Sequence, residues 1–345
     1  MQQNKRFTRR AKLASFSLIL VFTVSLTQQA NASAWDDKEF EHQANGVPML
    51  EEDVWMQSTA NSSKASITED ACFNALNSNQ PLLAVQEAQS LLKQKALPQK
   101  TAHLANLCLG RGWFAQGELN KALPPLLEAA RLAGNTEERA AAFSSLGAVY
   151  GKQGKLDMAQ AAYRKQLAAA EELGDASKQA SALSNLGSIA YERRQYDEAL
   201  RLDFRALTLQ PVEQNKAVVL NNIANVHGFK GDYALAVDAL QQAIAIDRKY
   251  ASPDLGIDLL NLGNIYRKLK NWPENNRYLN EGLDLVKGKD RNWEAQAYRY
   301  FGMAFQDIGD KKQAREYFEA ALKIFREIGA NAMADSVARI MGTLK

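Results

Sequence analysis

Histidine, cysteine and proline are scarce in this 345-residue chain, and each scarcity removes a class of function. The three histidines, His42, His103 and His227, have no nucleophile or metal-ligand partner at a recognised spacing. Two cysteines, Cys72 and Cys108, are too few for a disulfide-built miniprotein. With no Cys-x-x-Cys pair, structural zinc and dithiol chemistry are not expected either. There is no Gly-x-Ser-x-Gly elbow, no phosphate-binding loop ending in Lys-Ser/Thr and no dinucleotide fingerprint. Acid pairs such as Glu171-Glu172 fall on helix ends or polar faces. The expectation is a protein without catalytic residues, cofactor or metal. A hydrophobic content of 46% argues against disorder throughout.

The formal charge of +3 invites a nucleic-acid reading until the charge is located. Residues 1–34 hold Lys5, Arg6, Arg9, Arg10 and Lys12 and no acid, which leaves 37 basic and 39 acidic residues beyond them. Nucleic acid is therefore not an expected partner. Arg9, Arg10 and Lys12 precede an uncharged apolar stretch from Leu13 to Leu26, followed by Ala30-Asn31-Ala32 and Ala32-Ser33-Ala34. That order is a secretory signal peptide over 1–34, and cleavage after Ala34 starts the mature chain at Trp35. The apolar stretch is shorter than the ~20 residues of a spanning helix. No other segment could cross a bilayer, so the mature protein is expected in the periplasm or secreted, without stable membrane insertion. A disulfide is permitted there.

From Trp35 to Asp70 nine acids face only Lys38 and Lys64, and the segment 35–64 reads as a flexible acidic leader. The body from Ala71 carries 35 basic and 30 acidic residues, so contact between leader and body is conceivable. A capping box at Ser66-x-x-Glu69 marks where order begins. Beyond it one pattern recurs: a Leu-Gly-type pair, an aromatic three residues on, a Gly-containing turn, then Ala, an apolar residue and another Ala. Clear copies are Leu146-Gly147 with Tyr150, Gly154, Ala159 and Tyr163, and Phe301-Gly302 with Phe305, Gly309, Ala314, Phe318 and Ala321. The small marker residue falls at 72, 110, 147, 187, 224, 263 and 302, at intervals of 37 to 40. Within each interval two runs at i, i+3, i+4, i+7 spacing flank a short turn, which predicts two antiparallel amphipathic helices.

At these residues the chain resembles the tetratricopeptide repeat family, in its variant with repeats of about forty residues, over roughly 65–345. The resemblance implies an all-α, right-handed superhelical solenoid of about seven helix-turn-helix units. They begin near 65, 103, 140, 180, 217, 256 and 295 and end near 330. Val337, Ile340, Met341 and Leu344 then share one face of a capping helix over 331–345. Three residues depart from the pattern: Asp203 stands where an aromatic or Leu belongs, and Asn275 and Gly282 replace alanines. The fourth and sixth units are accordingly expected to pack more loosely.

The resemblance also places the positions two before and one after each marker on the concave groove. They hold Asn185 and Ser188, Asn222 and Asn225, Asn261 and Asn264, then Tyr300 and Met303. A carboxamide donates and accepts, so a solvated row of them pairs with the backbone of an extended peptide without reading its sequence. Tyr191, Arg267, Lys268 and Arg299 lie near that surface toward the C-terminal half, while Leu104, Leu107, Phe114 and Arg111 lie in the second unit. The groove is thus expected to be apolar at one end and basic at the other, where an acidic or carboxylate-bearing segment fits. The family's carboxylate clamp needs Lys and Arg at sites held here by Ser184, Asn221 and Val218. The partner is expected to be a protein or peptide. Two modes stay open: an exported scaffold holding an extended segment in its groove, and an accessory docked on a folded envelope enzyme by its convex or edge surface. Cys72 and Cys108, on first helices of adjacent units, form a disulfide or remain two buried thiols.

Overall fold

The structure, a computed structural model, describes residues 69–344. The expected signal peptide, the acidic leader and Ser66 of the capping box lie outside the described residues. Among those described there are fifteen helices and no strand. Seven antiparallel pairs run α1 (Glu69–Asn77) with α2 (Pro81–Leu92), α3 (Gln99–Ala115) with α4 (Leu119–Leu132), α5 (Thr136–Lys152) with α6 (Leu156–Glu172), and α7 (Ala176–Glu192) with α8 (Tyr196–Leu209). They continue with α9 (Glu213–Lys230) and α10 (Tyr233–Tyr250), α11 (Leu255–Lys268) and α12 (Trp272–Val286), α13 (Arg291–Ile308) and α14 (Lys311–Glu327). A single helix α15 (Asn331–Thr343) closes the array, with Ala334 and Val337 buried on the last pair.

Three of the first helices, α5, α7 and α13, start on a polar cap. The side chains of Asn135, Asp175 and Asp290 accept from the amides of Glu138, Lys178 and Trp293, which satisfies an amide that the helix leaves open. The turn inside each pair is equally regular. Seven residues after the marker the backbone enters the left-handed region at Asn79, Gly117, Gly154, Arg194, Gly231, Lys270 and Gly309. Glycine serves four of the seven units. Arg194 and Lys270 carry a Cβ into that conformation in the fourth and sixth units, where the sequence also departs elsewhere.

Packing within a pair is built on the marker. A Cβ added at Gly110, Gly147, Gly263 or Gly302 would lie within 2.4–2.7 Å of Leu126, Tyr163, Leu279 or Phe318. Each partner stands sixteen residues after its marker, so the missing side chain is what lets the second helix close on the first. Asn275 and Gly282 do not loosen the sixth unit. The Asn275 Nδ2 donates to the Gly263 carbonyl at 2.9 Å, and a Cβ on Gly282 would meet Leu260 at 2.7 Å and the Gly256 carbonyl at 2.9 Å. The departure there is an exchange of alanine packing for closer backbone approach.

Helix ends are tied along both edges of the array. Within units, Arg139 pairs with Glu172, Lys249 with Glu213 and Arg291 with Glu327, joining the start of a first helix to the end of its second. Between units, Arg193 pairs with Asp157 and Lys230 with Asp197. At the N-terminal end Cys72 on α1 and Cys108 on α3 are joined as a disulfide, both fully buried, with Cα atoms 6.3 Å apart. That separation lies in the range a disulfide requires.

Candidate functional site

The first helices α7, α9 and α11 are buried almost all round, which overturns the expectation of a solvated asparagine row. Asn185, Ser188, Tyr191, Asn222, Asn225, Asn261, Asn264, Arg267 and Arg299 are all buried. Successive first helices lie close enough that these side chains meet one another across units. The Asn222 Nδ2 on α9 donates to the Ser184 Oγ on α7 at 3.0 Å. Asn225 donates to the Asn221 Oδ1 at 2.9 Å, and Asn261 on α11 reaches the same oxygen at 3.5 Å. The Tyr300 hydroxyl on α13 donates to the Asn261 Oδ1 at 3.4 Å. The result is an internal polar seam through the fourth to seventh units.

At the expected basic end Arg267 and Arg299 are buried and turned onto groups of the chain itself. Arg267 donates from Nε to the Asn264 Oδ1 at 2.9 Å and from Nη1 to Asp307 at 2.5 Å. Arg299, fully buried, donates to the Gln296 Oε1 at 2.8 Å and lies 4.9 Å over the Tyr300 ring. At the other end Leu107 is buried, Leu104 and Phe114 are half-buried, and Arg111 donates to the Ser145 Oγ at 2.9 Å.

Three buried carboxyls belong to the same seam, and their roles were not apparent from the sequence. Asn221 donates to Asp258. Burial, reinforced by the neighbouring charge of Asp247, pushes the Asp258 carboxyl far above its ordinary range. Burial also pushes Asp247 up, to about 6. Two adjacent carboxyls share one proton more readily than they hold two charges, so Asp258 keeps it and donates to Asp247. Asp203 on α8 is 1% exposed and rests against Gly187, and burial raises its carboxyl strongly against the opposing bond from Ser184. The one legible signal was that Asp203 breaks the packing pattern.

Bond-forming capacity is left over. Both side-chain polar atoms of Asn185, the Ser144 Oγ, the Asn222 Oδ1 and the Asp203 Oδ1 are buried without a hydrogen-bond partner among the described residues. Such groups cost roughly 1–3 kcal/mol each when left unmade, so several in one region mark a place where a partner group is expected. A small cavity lies among Ser188, Tyr191, Asp203, Asn222, Asn225 and Val226. The two described histidines stay outside the seam: His103 donates from Nδ1 to the Ala129 carbonyl at 2.8 Å, and His227 lies 3.4 Å from Asp232.

With this geometry in hand, the family profile described as tetratricopeptide repeat matches residues 138–211, 178–249 and 255–327. The chain belongs to the tetratricopeptide repeat family. Solved structures of similar fold include a Rap protein complexed with competence and sporulation factor, at 12% identity and TM-score 0.58, over 79% of this chain and 84% of that one. Cut9 with Hcn1, from the APC/C hetero-tetramer, aligns at 16% identity and TM-score 0.59, over 79% of this chain and 49% of that one. A tetratricopeptide repeat protein from Parabacteroides merdae aligns at 14% and 0.56, over 78% and 96%. At such identities the likeness is one of fold. No curated protein matches the sequence. Among the described residues no helix is long and apolar enough to cross a membrane.

Proposed function

We propose that this repeat protein is an exported, non-catalytic scaffold that holds an extended segment of a partner protein along the inner seam, in assembly, secretion or regulation at the cell envelope. The observation that carries the reading is the unpaired capacity at Ser144, Asn185 and Asn222, on first helices of three successive units. An extended backbone offers alternating N–H and C=O groups that supply what these side chains lack. The structural neighbour solved with competence and sporulation factor is a protein of this fold holding a ligand, which is consistent with such a use. Export rests on the order of charges, apolar residues and small residues over 1–34.

The test uses Asn185→Ala, because the Asn185 side chain has no hydrogen bond to lose among the described residues. Its melting temperature should stay at or above the parent's, while affinity for a partner recovered from the envelope extract should fall several-fold, as expected for about one hydrogen bond. Unchanged affinity in Asn185→Ala, together with loss of binding on placing Glu at the exposed Leu127 of α4, would overturn the seam in favour of docking by an outer face. N-terminal sequencing of the protein from the envelope tests export. A chain beginning at Ser33 or Trp35 supports it and a retained Met1 refutes it.

A further inference from the structure

The turns inside the pairs line one edge of the array, and in the middle of the array that edge is polar. The residue six after the marker in one unit faces the residue ten after the marker in the unit before it. Gln153 donates to the Asn120 Oδ1 at 3.2 Å, Arg193 pairs with Asp157 at 2.5 Å, and Lys230 pairs with Asp197 at 2.6 Å. The next two steps of the same register are apolar: Leu269 falls opposite Ala234, and Ile308 opposite Pro273. Leu269 is 44% exposed and Ile308 52%, while Leu235, next to Ala234, is 54% exposed. Single exposed leucines are ordinary on a protein surface. Three at one edge of three consecutive pairs, where the preceding pairs carry bonded polar residues, make a strip of the kind that takes a partner.

The rim of this strip is basic. Lys268 and Lys270 flank Leu269, and Lys311 and Lys312 follow Ile308 closely. The acids of the same turns are held by their own neighbours: Asp307 by Arg267, Glu274 by Arg277, and Asp310 by the Gln313 amide that it caps. An apolar strip with a lysine rim is complementary to a segment that carries apolar residues among carboxylates. The chain contains one. Trp35 and Phe40 stand among Asp36, Asp37, Glu39 and Glu41, and Glu51, Glu52 and Asp53 lie between Leu50 and Val54-Trp55, with Lys38 the one lysine or arginine over 35–56. Residues 57–68 tie this segment to α1, and that length of extended chain reaches ~40 Å. Packed helices lie about 8–10 Å apart, so the tether covers the steps from the first pair to the fifth and leaves 35–56 to lie along the strip. A tethered segment also meets its site at an effective concentration on the order of mM, which a second copy in dilute solution does not match.

We propose that the acidic leader, over residues 35–56, docks on its own chain along the apolar turn edge of the fifth to seventh pairs. The contact places leader apolar side chains on Leu235, Leu269 and Ile308 and sets leader carboxylates against the lysines of the rim. It uses the helix ends rather than the inner seam, so it stands or falls independently of segment binding there.

The experiment places the photo-reactive side chain p-benzoylphenylalanine at Leu269 or at Ile308 in the chain from Trp35 to Lys345, and at the exposed Leu127 of α4 as a control. The replaced side chains are exposed and the reagent is apolar, and thermal melts establish that each chain folds. Equal amounts of unlabelled and 15N-labelled chains are mixed, irradiated and digested, and mass spectrometry reads which peptides are joined. Leu269 and Ile308 should join to peptides of 35–56 carrying the same isotope, with a yield that does not change on tenfold dilution, and Leu127 should not. Changing Glu51, Glu52 and Asp53 together to lysine should cut that yield several-fold, and so should 0.5 M salt, by screening the charges. Joined peptides of mixed isotope would assign the strip to a second copy and overturn docking within the chain. A yield that survives charge reversal would overturn the complementarity, and an absence of leader peptides at both positions would overturn the proposal. If phosphatidylglycerol vesicles capture the charge-reversed chain and the parent equally, through Leu269 and Ile308, the strip faces lipid and the proposal is likewise overturned.

Discussion

Replacing Asn222, Asn225, Asn261 and Asn264 together by alanine measures what the seam is worth to the fold. Were these asparagines solvated on a helix face, the change would be neutral or slightly stabilising, because alanine is the better helix former by about 0.5 kcal/mol per site. The structure gives each a buried partner: Ser184 for Asn222, Asn221 for Asn225, Asn221 and Tyr300 for Asn261, and Arg267 for Asn264. Leaving a buried partner unmade costs about 1–3 kcal/mol, and the helix-propensity gain returns part of that, so the quadruple variant should lose about 2–10 kcal/mol in all. Such a loss is comparable to the whole stability of many domains, and in a linear array it falls on the units that carry it. Hydrogen exchange should therefore show α7 to α13 opening first, with α3 to α6 protected as in the parent. Urea unfolding followed by circular dichroism gives the total, and a double-mutant cycle of Asn222→Ala with Ser184→Ala isolates one contact. A quadruple variant that unfolds within about 0.5 kcal/mol of the parent would mean that the side chains are not bonded as described.

Three further outcomes follow from other parts of the molecule. Asp203, Asp247 and Asp258 are raised by burial, so the stability they allow is complete at low pH and is lost as pH rises through their folded values, at up to about 1.4 kcal/mol per pH unit for each. Asp203→Asn and Asp258→Asn should therefore gain on the parent between pH 4 and 7 in thermal melts, and a constant difference would refute the burial of those carboxyls. Thiol labelling of the unfolded, unreduced chain should find no free thiol, and reduction should destabilise the first two pairs by about 4 kcal/mol for a 36-residue closure; two reactive thiols would refute the bond. Gly263→Leu and Gly282→Ala each place a Cβ 2.7 Å from a buried leucine and should cost at least ~1–3 kcal/mol through overpacking, and parental melts would refute the register.

The repeat could be read from the sequence because packing imposes it. A small residue stands at every marker and an alanine twelve residues on in six of the seven units, because the two helices touch there, and copies at near-constant interval cannot hide. What escaped was the contact between units. Asn222 and Ser184 are 38 residues apart and Asn221 and Asp258 are 37 apart, so no local periodicity connects them. Polar residues on a first helix read as solvent-facing when the winding that brings the next first helix over them is not encoded in any single unit. Asp203 was visible as an exception to the pattern, but looseness was the wrong inference from the same kind of exception at Asn275, where a carboxamide bonds a backbone carbonyl instead. Arg267 and Arg299 looked like an open basic surface because Asp307 and Gln296, which hold them, carry no motif.

The ion pairs at the helix ends lie on the rim of the array, outside its core. Standing at the edges, they act at the longest lever arm on the angle between consecutive pairs, yet as exposed pairs each is worth only about 0–1 kcal/mol and is screened by salt. The array is therefore a spring whose stiffness is fixed on its rim and whose integrity is fixed inside. Raising the ionic strength should lengthen the coil in small-angle scattering at constant helix content, easing first helices apart where Arg193, Asp157, Lys230 and Asp197 bridge the third to fifth pairs. Those are the pairs that flank the fourth unit, so hydrogen exchange there should rise with salt before it rises elsewhere.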